Sequence, residues 1–315
     1  MPQPPAASDP LIAVAGPAAV DMTLRQPPPN WIGSVGDDVF TPQNLHMLAA
    51  PVELGLGGNG GACSYVLGKL GLRVHLNAPI SDDAAGLLVR GWLSDAAVRV
   101  VAPCAASTMF ALYAVDAGGK RLGCLHHPSQ PIDWTLSGKD TEAHWFIACL
   151  NAAASPSQIE ALEQSLCALR QSGCTTALDT GVAWMGRVQA EQVHQLWSQT
   201  DLLLGTIEEL GAWCGRQTPQ DVARATLDHG PARVVIKMGP QGAALQSLDT
   251  PFTHQPAEPV SSPDLSVGAG DAFNAAVVSH LARGAALNDA VSEAQKIAAK
   301  VVETGKGVFG WSGAE

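Results

Sequence analysis

The residues best suited to chemistry lie in the run 267–273, Val-Gly-Ala-Gly-Asp-Ala-Phe, directly before an apolar helical pattern. Three small residues precede one carboxylate: Gly268, Ala269 and Gly270, then Asp271. The unpaired N–H groups of a first helical turn, together with the positive end of the helix dipole, can hold an anion. A carboxylate at the rim can accept the proton of a hydroxyl group that attacks this anion. The combination predicts phosphoryl transfer to an alcohol, although an ordinary helix start is the alternative.

A second candidate site is the glycine-rich run 55–61, which also precedes a helical pattern. It contains the G-x-G-x-x-G spacing of a dinucleotide site, but it does not follow the first strand, and no acid lies about twenty residues on to bind a ribose. We interpret Gly57 and Gly58 as positions where the backbone approaches a polyhydroxylated ligand, with Asn59 adding a polar side chain. Asp21 follows the first predicted strand and could bind vicinal hydroxyls, or it could be a plain N-cap or loop acid.

Two further segments could serve a nucleotide and its metal. Glu209 lies in the first turn of a predicted helix, where it could hold magnesium through water, although the helix dipole also favours acids there. The buried run 234–237 ends in Lys237 and a glycine-flanked turn. The backbone of this turn could face a phosphate with Lys237 as the counter-charge, or the turn could simply join two edge strands as a hairpin.

The rest of the chain alternates short apolar β-type runs with helical patterns, which predicts a mostly parallel sheet flanked by helices. The predicted strands are residues 11–15, 74–78, 145–149, 176–178, 202–204 and 234–237. The predicted helices are residues 61–70, 84–96, 156–171, 189–198, 207–214, 219–228, 272–283 and 287–303. Ligands collect beyond the carboxyl ends of the strands in such sheets, so this architecture can position the candidate residues together.

Two segments, residues 22–56 and 105–130, do not follow this alternation. The first contains three consecutive prolines and a β-like Val-Glu-Leu, and the second resembles two strands around an Asp-Ala-Gly-Gly turn. We expect them to pair into a small sheet that projects from the α/β body and covers a site as a lid. An edge extension or a dimer contact is the alternative use of such a sheet.

Composition excludes several classes of partner and location. The 315 residues carry a formal net charge of −11 and the 18 Lys and Arg form no run, so we expect neither a nucleic-acid nor a membrane partner. The seven cysteines form no CxxC pair, which is typical of reduced thiols in a cytoplasmic protein. We expect residues 1–10 to be a disordered tail without signal-peptide character, and residues 11–315 to form the α/β domain. No run of 18 uncharged apolar residues indicates a membrane span.

In their order along nearly the whole chain, these motifs resemble those of the ribokinase-like (PfkB) carbohydrate kinases. Residues 57–64 are similar to the first family signature, and residues 80–86, Ile-Ser-Asp-Asp-Ala-Ala-Gly, are similar to the Val-Gly-Asp-Asp-x-x-Gly motif of the family. Residues 116–121 match the lid hairpin, and residues 267–273 match the second signature closely.

The resemblance implies a ribokinase-like α/β fold with a small β-sheet lid, and it implies the use of ATP and Mg²⁺. It makes Asp271 the catalytic base and the amides of residues 268–270 the anion hole. The substrate would lie against four residues: Asp21, Gly57, Gly58 and Asn59. The nucleotide would lie along four others: Lys237, Gly239, Gly242 and Thr206. Glu209 would organise the magnesium ion, with water between them.

Three positions depart from the family pattern. Thr206 replaces the asparagine of the Asn-x-x-Glu motif, and this change bears on metal affinity. Ala62 falls where the family usually has a sugar-binding asparagine, which leaves Asn59 as a substitute. Leu265 stands where an aspartate opens the second signature, and this change bears on the monovalent-cation effect of many relatives. The base and the anion hole match the family.

We therefore expect an ATP-dependent kinase that phosphorylates a hydroxyl group on a sugar or sugar-like small molecule. A nucleoside kinase of the same fold is the first alternative, since that scaffold also accepts ribose carrying a base. A ligand-binding protein that has kept the fold but lost efficient catalysis is the second, and an NAD-dependent oxidoreductase is the least supported. The exposed edge of the lid could also form a homodimer.

Overall fold

The computed structural model describes residues 9–27, 48, 50–118, 121–128, 130–137, 142–150, 155–181, 188–261, 266–311 and 313. Its strands are β1 (Leu11–Ala15), β2 (Ala19–Arg25), β3 (Glu53–Gly57), β4 (Arg73–Asn77), β5 (Val98–Val100), β6 (Met109–Val115), β7 (Arg121–His127), β8 (Trp145–Cys149), β9 (Thr175–Asp179), β10 (Leu202–Thr206), β11 (Arg233–Lys237), β12 (Ala243–Ser247) and β13 (Thr253–Gln255). Its helices are α1 (Asn59–Lys69), α2 (Ala84–Asp95), α3 (Trp134–Ser137), α4 (Pro156–Gln171), α5 (Ala190–Ser198), α6 (Ile207–Cys214), α7 (Pro219–Leu227), α8 (Ala269–Ala282) and α9 (Leu287–Thr304).

The larger of the two sheets in the described part of the chain has nine strands in the order β13-β12-β11-β10-β9-β8-β1-β4-β5. The strands from β11 to β5 pair in parallel, and β12 and β13 are antiparallel at one edge. Every residue of β1 and β8 is buried, because parallel strands at the centre of such a sheet are covered on both faces. The predicted mostly parallel α/β fold is therefore confirmed.

Two apolar cores lie on the two faces of this sheet. Side chains alternate along β1, so Ile12 and Val14 enter one core while Ala13 and Ala15 enter the other. The first core also takes residues from α1, α2, α8 and α9, and the second takes residues from α4, α5, α6 and α7. The helices therefore sandwich the sheet, as predicted.

The smaller sheet has the strand order β3-β2-β6-β7 and confirms the predicted second sheet. It begins at Ala19, so Asp21 lies inside a strand rather than in the loop after β1. The reason is a period-two pattern in which Val20, Met22 and Leu24 point to one face of the strand, while Asp21, Thr23 and Arg25 point to the opposite face. Residues 28–47, 49, 119, 120 and 129 of the two predicted lid segments lie outside the described residues. The function as a lid stays a prediction.

The starts of the helices follow their local caps. Ser155 caps α4 with Pro156 in its first turn, and Thr206 caps α6, so both helices have the predicted bounds. In contrast, α8 begins at Ala269 and not at the predicted Ala272. The glycine-rich first turn reads as a loop in the sequence, but the chain already has helical geometry there.

No helix in the described part of the chain has both the length and the apolar character needed to cross a bilayer. All seven cysteines lie among the described residues, and all are free thiols. Residues 1–8 of the predicted tail lie outside the described residues, so its disorder stays a prediction.

Candidate active site

The predicted anion hole lies at the start of α8. Gly268 is the N-cap with φ 80°, and a Cβ atom there would lie 3.1 Å from the backbone N of Val308, so the position requires glycine. The Ala269 N–H donates to the Ser266 carbonyl at 3.2 Å, and one of the three predicted amides therefore already has an acceptor. Among the described residues the N–H of Gly270 has no backbone acceptor, which leaves this donor for a ligand.

Asp271 is the third residue of α8 and is partly buried. The pKa of its carboxyl is raised to about 7: burial makes the largest contribution, the Asp179 carboxylate acts in the same direction, and the Lys237 ammonium opposes both. Asp21 and Glu209 also raise this pKa, so the structure brings the predicted base near both the predicted substrate residue Asp21 and the predicted magnesium residue Glu209. Near neutral pH both protonation states of Asp271 are populated, as suits a general base.

The predicted substrate residues Asp21 and Gly57 lie side by side in the smaller sheet. β2 and β3 are antiparallel, with Ala19 opposite Gly57 and Asp21 opposite Gly55. A Cβ atom on Gly57 would collide with the Asp21 carboxylate, so the carboxylate lies directly over the glycine backbone. The sequence predicts that a ligand approaches the Gly57 backbone closely; in the structure the Asp21 side chain makes such an approach.

The neighbouring glycines have a packing role, and the ligand contact expected at Gly58 stays a prediction. Gly58 has φ 71°, and a Cβ atom there would lie 2.5 Å from the Pro17 carbonyl oxygen. A Cβ on Gly60 would collide with the backbone of Gly16, and the Gly61 N–H donates to the Pro17 carbonyl at 3.0 Å. This run lets the first turn of α1 pack against the turn between β1 and β2.

Asn59, the first residue of α1, is directed to a carboxylate that the sequence interpretation missed. Its Nδ2 donates to Oδ2 of Asp179 at 3.3 Å, and its buried Oδ1 has no partner among the described residues. Ala62, one turn further along α1, is buried in the core. A contact between Asn59 and a substrate stays a prediction.

Asp179 is the last residue of β9 and is only 5% exposed. Its Oδ1 accepts a hydrogen bond from the Lys237 Nζ at 3.0 Å, and both side chains are largely buried. Burial lowers the pKa of Lys237, but the carboxylates of Asp179 and Glu209 outweigh burial and raise it, so the ammonium stays charged. Its Nζ lies 3.8 Å from where a Cβ of Gly270 would stand, which places the cation beside the α8 start.

Glu209 and Thr206 form a capping box at the start of α6. The Thr206 N–H donates to Glu209 Oε2 at 2.8 Å, and the Glu209 N–H donates to Thr206 Oγ1 at 3.2 Å. Thr180 Oγ1 also donates to Oε2, at 3.2 Å. Burial raises the pKa of Glu209, while Lys237 opposes the shift. Threonine thus serves as a helix cap where the family has asparagine, and a magnesium contact by Glu209 stays a prediction.

The turn after Lys237 joins the antiparallel strands β11 and β12, so the hairpin alternative describes its structure. The Met238 N–H donates to the Gly242 carbonyl at 2.9 Å, and the Gly242 N–H donates to the Gly239 carbonyl at 3.0 Å. A Cβ on Gly242 would collide with the Gln255 carbonyl oxygen, whereas Gly239 has no atom within 4 Å of such a position. Gly239 is therefore the open side of this turn, and contacts with a nucleotide stay predictions.

Two predicted features, the Leu265 position and a magnesium site, are not seen beside Asp271 in the described part of the chain. Leu265 lies outside the described residues. Within the described part of the chain, no group of three or more His, Cys, Asp or Glu side chains is arranged to hold a metal ion. A cavity of about 580 Å³ runs along α6, but its lining residues include Glu208 and Arg216 and none of the predicted site residues. We therefore place the candidate site at the α8 start rather than in this cavity.

A family model described as pfkB family carbohydrate kinase matches residues 31–311. The 2-dehydro-3-deoxygluconokinase of Escherichia coli (strain K12) is 26% identical over 161 residues. That match covers 48% of this chain and 51% of the relative, so the chain spans about half the length of the curated relative it matches.

Solved structures of ribokinases have the same fold. The ribokinase of Thermotoga maritima superposes with a TM-score of 0.74 at 19% identity, covering 95% of each chain. The Arabidopsis thaliana ribokinase complexed with ribose and ATP superposes with a TM-score of 0.73 at 18% identity, covering 96% of this chain and 95% of that one. The match to the family model extends over most of the sequence, and the chain therefore belongs to the pfkB family of carbohydrate kinases.

Proposed function

We propose that this protein is an ATP-dependent kinase that transfers a phosphoryl group to a hydroxyl of a sugar or sugar-like small molecule. One observation carries the proposal: Asp271, with a pKa raised to about 7, lies in the first turn of α8 among the charges of Asp21, Asp179, Glu209 and Lys237. A base, an anion-binding helix start and a buried cation at one place are the parts that phosphoryl transfer to an alcohol requires.

In this proposal Asp271 accepts the proton of the attacking hydroxyl. The turn at residues 268–270 binds the transferred phosphoryl group, with the Gly270 N–H as its donor because the Ala269 N–H is already bonded. Lys237 offsets the negative charge that develops on this group, since its ammonium lies beside Gly270. Catalysis then depends mainly on positioning and electrostatics.

The residues present fit a magnesium nucleotide. The α8 start and Lys237 are suited to phosphate, and the carboxylate of Glu209 is a hard oxygen donor of the kind that magnesium prefers. Bound magnesium would neutralise charge on the phosphates. Thr206, Gly239 and Gly242 lie on the elements next to Lys237, and we assign them to the nucleotide side.

The substrate side is formed by Asp21 with Gly57, Gly58 and Asn59. The Asp21 carboxylate can accept hydrogen bonds from two neighbouring hydroxyls, as a polyhydroxylated substrate offers. Asn59 Nδ2 already donates to Asp179, so a substrate hydroxyl would reach this residue by donating to Oδ1. Because the Escherichia coli relative is a 2-dehydro-3-deoxygluconokinase, sugar acids are the first compounds to test.

The experiment is a phosphotransfer panel with Mg-ATP, read as ADP release and by mass spectrometry of the product. The panel contains sugars, sugar acids including 2-dehydro-3-deoxygluconate, and the nucleosides adenosine, inosine and cytidine, with alcohol-free reactions as controls. We expect a phosphorylated sugar or sugar acid. Preferential phosphorylation of a nucleoside would establish the nucleoside kinase instead, and tight sugar binding without transfer would establish a binding protein.

We also propose that the smaller sheet forms a homodimer through the face opposite to Asp21. Cross-strand pairing puts Leu54, Met22, Leu112 and Leu125 in one row across all four strands, and Leu54 and Leu125 are 47% and 54% exposed. Such an apolar row is typical of a protein contact. Light scattering should show a dimer for the wild type and a monomer for Leu54→Glu/Leu125→Glu, while a wild-type monomer would contradict this proposal.

The acidic chain, with its free thiols, leads us to propose a cytoplasmic enzyme without a nucleic-acid partner.

A further inference from the structure

Asp179 connects the two sides of the candidate site. Its two carboxylate oxygens accept hydrogen bonds from different elements: Oδ2 from Asn59 at the start of α1, and Oδ1 from Lys237 at the end of β11. The side chain is 5% exposed, so both bonds are made away from bulk water and hold their donors firmly.

The position of the Lys237 ammonium requires an explanation. The ammonium lies beside Gly270, a residue of the same helical turn as Asp271. It is a single cation near several carboxylates. Among the described residues its ion pair is with Asp179 and not with Asp271. An ammonium bonded to Asp271 would occupy the oxygen that must accept a proton and would make that carboxylate a weaker base.

We propose that Asp179 is a positioning residue that holds the Lys237 ammonium beside the α8 start and away from Asp271, so that Asp271 stays free to act as the base. The inference deepens the proposed function and rests on it. Asp179 touches neither reacting group in this account; it acts through Lys237.

Charged and titratable groups face Asp271 from five elements: Asp21 on β2, Cys149 on β8, Asp179 on β9, Glu209 on α6 and Lys237 on β11. Hydrogen bonding with the Cys63 thiol and burial raise the pKa of Cys149 well above its usual value, so that thiol stays neutral. The three other carboxylates raise the pKa of Asp271, and Lys237 lowers it.

Loss of Asp179 therefore acts twice in the same direction. It removes a neighbouring negative charge, and it frees Lys237 to pair with Asp271, so both effects lower the pKa of Asp271. Loss of Lys237 acts in the opposite direction and raises that pKa. The charge effect of Asp179 is expected whatever its role, so the double variant isolates the positioning role: loss of Asp179 should lower the Asp271 pKa more when Lys237 is present and free to re-pair than when it is absent.

The test is a ¹³C-carboxyl NMR titration of the whole protein, with the Asp271 signal assigned by its loss in Asp271→Asn. In Asp179→Ala we expect the Asp271 pKa to fall by about one unit or more, the usual effect of a nearby cation. In Lys237→Met it should rise, and in the double variant it should lie between the two. In parallel, kcat of Asp179→Ala should drop at least about tenfold, while Asp179→Asn, which keeps an acceptor for Lys237, should recover to within about threefold of wild type.

Asp201→Asn is the matched control, because Asp201 also binds β9, through the Thr176 N–H at 2.8 Å, and pairs with Arg170 away from the site. It should lower the melting temperature without moving the Asp271 titration. If Asp179→Ala does not fold, Asp179→Ser, which keeps a hydroxyl for Asn59, takes its place.

An unchanged or raised Asp271 pKa in Asp179→Ala, or equal losses of kcat in the Ala and Asn variants, would overturn the inference. The titration needs no turnover. If the wild type phosphorylates no alcohol, the proposed function fails while the NMR result still decides whether Asp179 controls the ion pair. If the wild type is active and Asp271 titrates at the same pH in the wild type and in Asp179→Ala, the inference alone fails.

Discussion

The starts of α6 and α8, both near the candidate site, differ in how the unpaired N–H groups of the first helical turn are bonded. Thr206 caps α6 with its side chain, and Glu209 reaches back to the Thr206 N–H. Gly268 caps α8 without any side-chain hydrogen bond. The α6 start bonds two N–H groups to its own side chains and carries a carboxylate as its cap, whereas the α8 start has no side-chain cap and leaves the Gly270 N–H for a ligand, so the anion is expected at α8 and not at α6.

The acidic residues in the first turns of these two helices also differ in what their side chains do. Glu209 and Asp271 occupy the same position, the third residue of their helices. The longer side chain folds back as a cap, while the shorter one follows a glycine cap and has its pKa raised to about 7 by burial. The same acid position thus stabilises one helix and provides the proposed base in the other.

The largest expected effect is on Asp271. Asp271→Asn should lower kcat by about two to four decades, the range typical of losing a general base. The variant should also be more stable than the wild type, because the ionised carboxyl is disfavoured in the folded state. That advantage should grow as pH rises from about 4 to 7 and then level off. Steady-state kinetics and thermal melts at several pH values check both points, and near-wild-type turnover would remove Asp271 from the mechanism.

Gly268→Ala should come next in size. A Cβ at φ 80° costs about 1–2 kcal/mol of folding free energy and presses on Val308, so the α8 start must shift. We expect kcat to fall at least about tenfold, since the phosphoryl site moves with the turn. Gly284→Ala, also at positive φ but in open space after α8, is the control for strain alone and should keep wild-type kcat. Equal kcat in both variants would count against an anion site at α8.

The smallest effect should come from Thr206→Ala at the α6 start. Loss of the capping side chain should cost about 1 kcal/mol of unfolding free energy, measured by urea denaturation. Turnover should fall much less than in Gly268→Ala, because the bonds removed serve the helix itself. Thr218→Ala, which removes the matching cap of α7, provides the comparison for stability. A loss of kcat as large as that of Gly268→Ala would show that the two helix starts do not differ in function.

Strong local signals made most of the fold predictable. The uninterrupted apolar runs of β1 and β8 and the Ser-Pro start of α4 gave the observed bounds, because each signal is complete within a few residues. The strands β5, β12 and β13 were missed because they are short or only partly buried, and so depend on their neighbours.

The site was predictable only where a motif marks it. Asp271, Gly268 and Asp21 were found from their spacing, and the structure brings them to one place. Asp179 was missed because a single acid after a strand has no motif; its position at the carboxyl end of β9 was the one available signal. The pairing of Lys237 with Asp179 depends on strands 58 residues apart in sequence, so only the fold reveals it.

The pH dependence of kcat/KM tests the central claim most directly, because it reports the ionisation of the free enzyme. If Asp271 is the base, kcat/KM for the preferred alcohol should rise with pH through an apparent pKa near 7, since the carboxyl must be ionised to accept a proton. The residual activity of Asp271→Asn should lack this limb. An acid limb near pH 4 in the wild type, or a limb near 7 that persists in Asp271→Asn, would contradict the account.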